Sequence, residues 1–141
     1  MDSVRVLRAL CGEFAFLTTN DNDLTARVIG AAIEVHRTLG PGLLESAYEQ
    51  CLSRELSLQN IRFVSQAPLP IEYKGTTLDC GYRIDMLVEN RLVVELKSVE
   101  TLSPIHTAQV LTYMKLARTR IGLIINFNVE LLKDGVRRLI L

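Results

Sequence analysis

The sequence predicts an α/β fold, and three features of its patterning carry that expectation. Apolar residues recur at helical spacing in two stretches ahead of residue 60. Short segments rich in β-branched and aromatic residues follow between residues 63 and 98. A further apolar segment, Ile121 to Asn126, is separated from the strand before it by a helix, so a right-handed β-α-β crossover is the economical connection.

Taken in order, residues 1–23 show no clean period and end in the polar run Thr18-Thr19-Asn20-Asp21-Asn22-Asp23. That run reads as a poorly ordered lead to a single domain over residues 24–141. The first helix is expected from Leu24, with Val28, Ala32, Val35 and Leu39 on its stripe and Asn22 or Asp23 as cap. Gly40-Pro41-Gly42 stops it, since proline lacks a donor and glycine takes tight backbone angles. Leu44, Ala47, Tyr48, Cys51, Leu52 and Leu56 then trace one face of a second helix, which Asn60 ends in a left-handed conformation. Strands are expected at Phe63 to Gln66, Leu69 to Tyr73, Thr76 to Val88 and Arg91 to Ser98, as a meander turning at Lys74-Gly75. Ser103-Pro104 opens a helix that runs to about Arg118, because serine caps and proline suits the first helical position. Ile121 to Asn126 is expected as a central strand, and Asp134-Gly135 as the turn into a further strand, Val136 to Leu141.

A chain of 141 residues supports one hydrophobic core, whereas two domains would each bury too little surface. Sixteen basic residues balance sixteen acidic ones, so the overall field cannot by itself hold a polyanion; a locally bound cation could still do so. Cys11, Cys51 and Cys80 are odd in number, widely spaced and without a CxxC pair, which fits reduced cytoplasmic thiols rather than a zinc site. No apolar run approaches the about 20 residues that span a bilayer, and Gly12 and Glu13 interrupt any secretory-signal pattern near the N-terminus. No membrane partner is expected.

The chemistry concentrates in Leu92-Val93-Val94-Glu95-Leu96-Lys97. Residues two apart in a strand share a face, so Glu95 and Lys97 project together while Val94 and Leu96 pack on the opposite side. A purely structural reading makes the charged pair solvent-facing. If the preceding hairpin turns on Glu89-Asn90-Arg91, Val88 pairs with Leu92 and Asp85 lies across from Glu95; a two-residue turn would put them on opposite faces. Facing carboxylates repel unless a cation compensates them. Mg²⁺ or Mn²⁺ suits Asp85, Glu95 and the backbone carbonyl of Leu96, with Lys97 beside the attacking water of a phosphodiester hydrolysis.

Tyr82-Arg83-Ile84-Asp85 followed by Val94-Glu95-Leu96-Lys97 resembles the core motif of PD-(D/E)xK nucleases, and Gly42-Leu43-Leu44-Glu45-Ser46-Ala47-Tyr48 resembles the signature of the GxxExxY proteins within them. The resemblance runs from about Leu24 to Leu141, through Val35-His36-Arg37, Leu39-Gly40-Pro41-Gly42, Gln109-Val110-Leu111-Thr112-Tyr113 and Ile125-Asn126-Phe127-Asn128. It implies a restriction-endonuclease-like core, a mixed central β-sheet flanked by helices, with an early helix supplying an acid that matches Glu45, which would point at the metal beside Asp85, Glu95 and Leu96 and complete or tune its shell. On that helix Gly42, Glu45 and Tyr48 would share a face, the glycine permitting close approach and Tyr48 packing with its hydroxyl on a polar partner. Gln109 and Tyr113 resemble the QxxxY element of RecB-like members, implying a part in arranging the site or contacting nucleic acid; otherwise the amide bonds to backbone and the tyrosine is half-buried.

His36 reads as a hydrogen-bonded structural histidine, and His106 as an exposed one. Arg37, Arg62, Lys115, Arg118 and Arg120 could contact phosphates but are typical of a solvated surface. The expected function is a Mg²⁺- or Mn²⁺-dependent nuclease acting on DNA or RNA, with Glu45, Asp85, Glu95, Lys97, Gln109 and Tyr113 in its site. The alternative is a noncatalytic nucleic-acid-binding or protein-interaction module that keeps the nuclease fold. So short a chain leaves few elements for substrate selection, which suits a homodimer or a larger partner.

Overall fold

The computed structural model describes residues 20–141. Cys11 and the segment through Thr19 lie outside the described residues. Helix α1 (Asp21–Leu39) begins earlier than its apolar stripe suggests, because Asn20 is the cap: its side chain accepts from the Asp23 N–H at 2.8 Å. Asp21 and Asp23 occupy the first turn, where the helix dipole favours negative charge. The end of the polar run is thus a helix start rather than a lead. Helix α2 (Glu45–Leu58) buries Tyr48, Leu52 and Leu56, and Asn60 follows it with the expected left-handed φ of 59°.

Strands β1 (Phe63–Pro68), β4 (Arg83–Val88), β5 (Leu92–Lys97), β6 (Ile121–Asn126) and β7 (Val136–Ile140) form one sheet in the order β1-β4-β5-β6-β7. Neighbours are antiparallel except β5 and β6, which run parallel through the crossover helix α3 (Pro104–Ala117). The sheet is therefore mixed. β6 is wholly buried and flanked on both sides, although the middle position belongs to β5. A 3-10 turn (Leu132–Gly135) feeds β7.

The expected continuous meander is broken. Among the described residues β2 (Ile71–Tyr73) and β3 (Thr76–Leu78) pair only with each other, around a Lys74-Gly75 turn in which both residues have positive φ. The predicted strand Thr76 to Val88 is cut at Asp79-Cys80-Gly81, where Gly81 takes φ 82° and donates its N–H to the Asp79 side chain.

The sheet separates two apolar clusters. Val94, Leu96, Leu123 and Ile125 pack with Leu24, Val28, Val35, Tyr48 and Leu52 of α1 and α2; Cys51 lies half-buried against this cluster. Val93 and Ile124 pack with Val110, Tyr113 and Met114 of α3. The alternation expected of β5 is thus realised, and it directs Glu95 and Lys97 toward the α3 side.

Candidate active site

The β4–β5 hairpin turns as expected on Glu89-Asn90-Arg91, with Glu89 and Asn90 both left-handed and the Arg91 N–H donating to the Val88 carbonyl at 2.9 Å. Its register is Val88↔Leu92, Leu87↔Val93 and Met86↔Val94. One step further Asp85 stands opposite Glu95, and there the ladder stops. Side chains replace it: the Asp85 N–H donates to Glu95 Oε2 at 2.9 Å, and the Leu96 N–H donates to Asp85 Oδ2 at 2.8 Å. On the other side of β4, the ladder pairs Ser65 with Met86 and Ala67 with Ile84 and skips the residues between. The skipped residue of β1 is Gln66, held at φ 51°, a conformation that costs a non-glycine residue about 1–2 kcal/mol. Its Nε2 reaches Glu49 of α2 at 2.9 and 3.1 Å and Asp85 Oδ1 at 3.4 Å.

Glu95 is only 5% exposed, so the solvent-facing reading of the charged strand fails. Burial, then the Asp85 charge, pushes its carboxyl up to about 8; Glu45 adds to the rise, while the Asp85 N–H and Lys97 oppose it. Burial also raises Glu49, with Asp85 and Glu45 adding to the rise and the Gln66 amide opposing it. Four carboxylates therefore sense one another here. Glu45 itself is exposed in the first turn of α2 and acts on Glu49 and Glu95 through its charge. The α2 carboxylate tied to Asp85 through Gln66 is Glu49, one turn later. Sequence reasoning missed both residues. Glu49 was legible as the i+4 partner of Glu45, whereas Gln66 joins the site only through the nonlocal pairing of β1 with β4.

Lys97 is half-buried at the end of β5. Among the described residues Gln109 bonds a side chain rather than backbone: its Nε2 donates to the Tyr113 hydroxyl at 3.2 Å. Tyr113 is 8% exposed, and burial followed by the Glu95 charge raises its phenol above the usual tyrosine range, so the QxxxY pair senses the carboxylates. The Tyr82 ring lies 6.2 Å from that of Tyr113, tilted by 59°.

The family model of the PD-(D/E)XK nuclease superfamily matches residues 22–139. The chain belongs to this superfamily. Searches of curated proteins and of solved structures give no significant match. The five-stranded mixed sheet flanked by helices is the restriction-endonuclease-like core expected of a PD-(D/E)XK protein.

In this PD-(D/E)XK chain a second set of contacts fixes the segments that bear the site. The Tyr48 ring stacks on Phe127 at 4.2 Å and 5°, while its hydroxyl donates to the Gly40 carbonyl at 2.6 Å and accepts the Leu43 N–H at 3.1 Å. Gly42 is not on the helix face with Glu45 and Tyr48. It lies in the turn before α2 at φ 101°, and a Cβ there would meet nothing within 4 Å, so backbone conformation rather than close approach requires glycine. Beyond Lys97, Ser98 donates to the Leu43 carbonyl at 2.7 Å, and the buried Asn126 amide clamps both the N–H and the carbonyl of Val99, at 3.0 and 2.9 Å. Gly135 backs the residue that forms this clamp, since a Cβ there would stand 2.1 Å from the Asn126 backbone carbonyl oxygen.

Other expected positions lie apart from the four carboxylates, although His106 lines a groove with Lys97, Gln109 and Tyr113. His36 bonds the Val129 carbonyl at 2.8 Å, in keeping with its structural reading. His106 is half-buried rather than exposed, because its Nδ1 accepts the Ser103 N–H at 3.1 Å in a capping box. Arg37 pairs with Glu34 and Arg62 with Glu89.

The donor set suits a hard divalent cation. Among the described residues no three Asp, Glu, His or Cys side chains group closely enough to hold an ion unaided. Mg²⁺, however, is characteristically held by one or two carboxylates together with water and substrate phosphate. Asp85 and Glu95 each give one oxygen to a backbone N–H; the second oxygen of Asp85 meets only the long 3.4 Å contact from the Gln66 amide. The N–H and carbonyl of one strand residue point toward the same neighbouring strand, so the Leu96 carbonyl, like its N–H, faces the β4 side of β5.

Proposed function

We propose that this chain is a Mg²⁺- or Mn²⁺-dependent nuclease of the GxxExxY branch, hydrolysing phosphodiester bonds of DNA or RNA. The observation that carries the reading is the interrupted ladder, where two strands give up regular pairing to hold Asp85 against Glu95 with Lys97 on the same face. Asp85, Glu95 and the Leu96 carbonyl would hold the ion. An ion bound there supplies charge neutralisation of the phosphate and acidification of water.

The chain's own residues do the rest. The Asp85 and Leu96 N–H groups fix the two carboxylates before substrate arrives, which avoids reorganisation during reaction. Gln66 holds Asp85 and Glu49 in one arrangement, and Glu45 tunes the acidic field from the edge. The Lys97 ammonium orients the attacking water and stabilises charge developing on the phosphate. Gln109 and Tyr113 position the flank beside Lys97. The chain acts as a single cytoplasmic nuclease domain, and it completes substrate selection as a homodimer or with a larger partner.

Duplex DNA, single-stranded DNA and RNA, each offered with Mg²⁺ or Mn²⁺ to wild type and Lys97→Ala, test the reading. Cleavage that requires metal and falls about 10²–10³-fold in the variant is the expected result. Wild-type protein that neither cleaves nor binds metal would overturn it in favour of a noncatalytic module.

A further inference from the structure

Beside the acidic cluster, Lys97 also lines a groove of about 510 Å³ between the β2 end of the small ribbon and α3, whose walls include Ile71, Tyr82, Ile105, Gln109 and Tyr113. The volume falls within the roughly 300–1,000 Å³ of ligand sites. Its chemistry is divided. Tyr82, 45% exposed, and Ile105, 70% exposed, offer flat and apolar surface to solvent. The Gln109 amide gives one N–H to Tyr113, and among the described residues its carbonyl oxygen and second N–H have no partner and can meet a ligand's edge. Aromatic and apolar walls with an amide at one edge match a planar heterocycle whose rim carries donors and acceptors. An apolar peptide side chain would leave that amide unpaired, at a cost in affinity.

Resting on the nuclease reading above, we propose that this groove stacks one unpaired base of the substrate strand on Tyr82, with Gln109 at the base edge, while Lys97 meets the adjoining phosphate. The substrate is therefore single-stranded nucleic acid, or a strand locally unpaired, because a base inside a duplex stack cannot enter between Tyr82 and α3. Lys97 joins the two halves of the site: it lines the groove and shares a strand face with Glu95.

Fluorescence anisotropy of a labelled oligothymidylate and of its duplex, with Ca²⁺ as the ion, tests the proposal on the full chain, alongside Mg²⁺- and Mn²⁺-dependent cleavage of the same strands. Wild type should bind the single strand more tightly than the duplex. Tyr82→Ala should weaken single-strand binding about tenfold, the scale of one base–aromatic stack. Tyr82→Phe keeps the ring and should stay within about twofold; Tyr82→Leu keeps apolar cover without a π face and should resemble alanine. Circular dichroism confirms that each variant is folded. Equal affinity of wild type for duplex and single strand, absence of binding to either, or Tyr82→Leu binding like wild type would overturn the groove assignment. Cleavage that depends on Lys97 while the Tyr82 variants bind normally would discard the groove and leave the nuclease reading standing. Tyr82-dependent binding without cleavage would do the reverse.

Discussion

The two ends of the β4–β5 pair obey different rules. At the turn end, Val88 and Leu92 are fully buried, pair in register and pack with α1 and α2. At the other end the ladder gives way at Asp85 and Glu95, and carboxylates take the place of backbone carbonyls as acceptors. On the proposed function, one stretch of sheet thus serves stability where it is regular and chemistry where it is not. The irregular end carries costs that the regular end does not: a left-handed residue inside a strand, Gln66, and a buried acid held against its neighbour's charge, whereas the left-handed angles of the turn end fall on the turn residues Glu89 and Asn90.

Substitutions at the two ends should therefore separate activity from stability. Glu95→Gln should reduce metal-dependent cleavage by at least about 10²-fold while the protein stays folded. Its stability should also respond to pH in a defined direction. The Glu95 carboxyl moves from an ordinary 4.5 up to about 8, so the folded protein retains a proton that the unfolded chain has released, and metal-free wild type should lose stability as pH rises across that window. Urea denaturation at several pH values should show that slope in wild type and a flatter one in Glu95→Gln. Manganese titration of wild type should tighten over the same window, because binding must expel the proton.

Leu92→Ala attacks the regular end. It should cost about 2–5 kcal/mol in urea denaturation, yet leave the specific activity of the folded fraction near wild type. Gln66→Gly should sharpen the contrast. Relief of the left-handed strain offsets the lost hydrogen bonds, holding stability within about 1 kcal/mol, while release of Asp85 and Glu49 lowers kcat about ten- to hundredfold. Tyr48→Phe keeps the stack on Phe127 but strips the latch from Gly40 and Leu43, and should cost about 0.5–1.5 kcal/mol by the same denaturation.

How much of this was legible follows from the range of the interactions. Ser103-Pro104 opened α3, Lys74-Gly75 turned a hairpin, and Asn90 took the left-handed angle that sets Val88 against Leu92; each is a local choice written in adjacent residues. From that register alone, Asp85, Glu95 and Lys97 could be placed together. Asn20 was misjudged because a cap and a disordered lead share the same polar alphabet. The cut at Asp79-Cys80-Gly81 was hidden by flanking β-formers, although Asp and Gly two apart are turn chemistry. Gln66 could not be found locally at all, since nothing in Ser65-Gln66-Ala67 states that β4 will lie beside it.

Gly135 leaves the proposed nuclease site open to damage from behind. Its missing side chain leaves room for the Asn126 carbonyl, and Asn126 in turn grips Val99, just past Lys97. Any larger residue at this position acts as a wedge whose force is delivered to the exit of the Lys97 strand. Loss of activity from a change at Gly135 would therefore be a lesion of alignment, inflicted at a place no substrate ever visits.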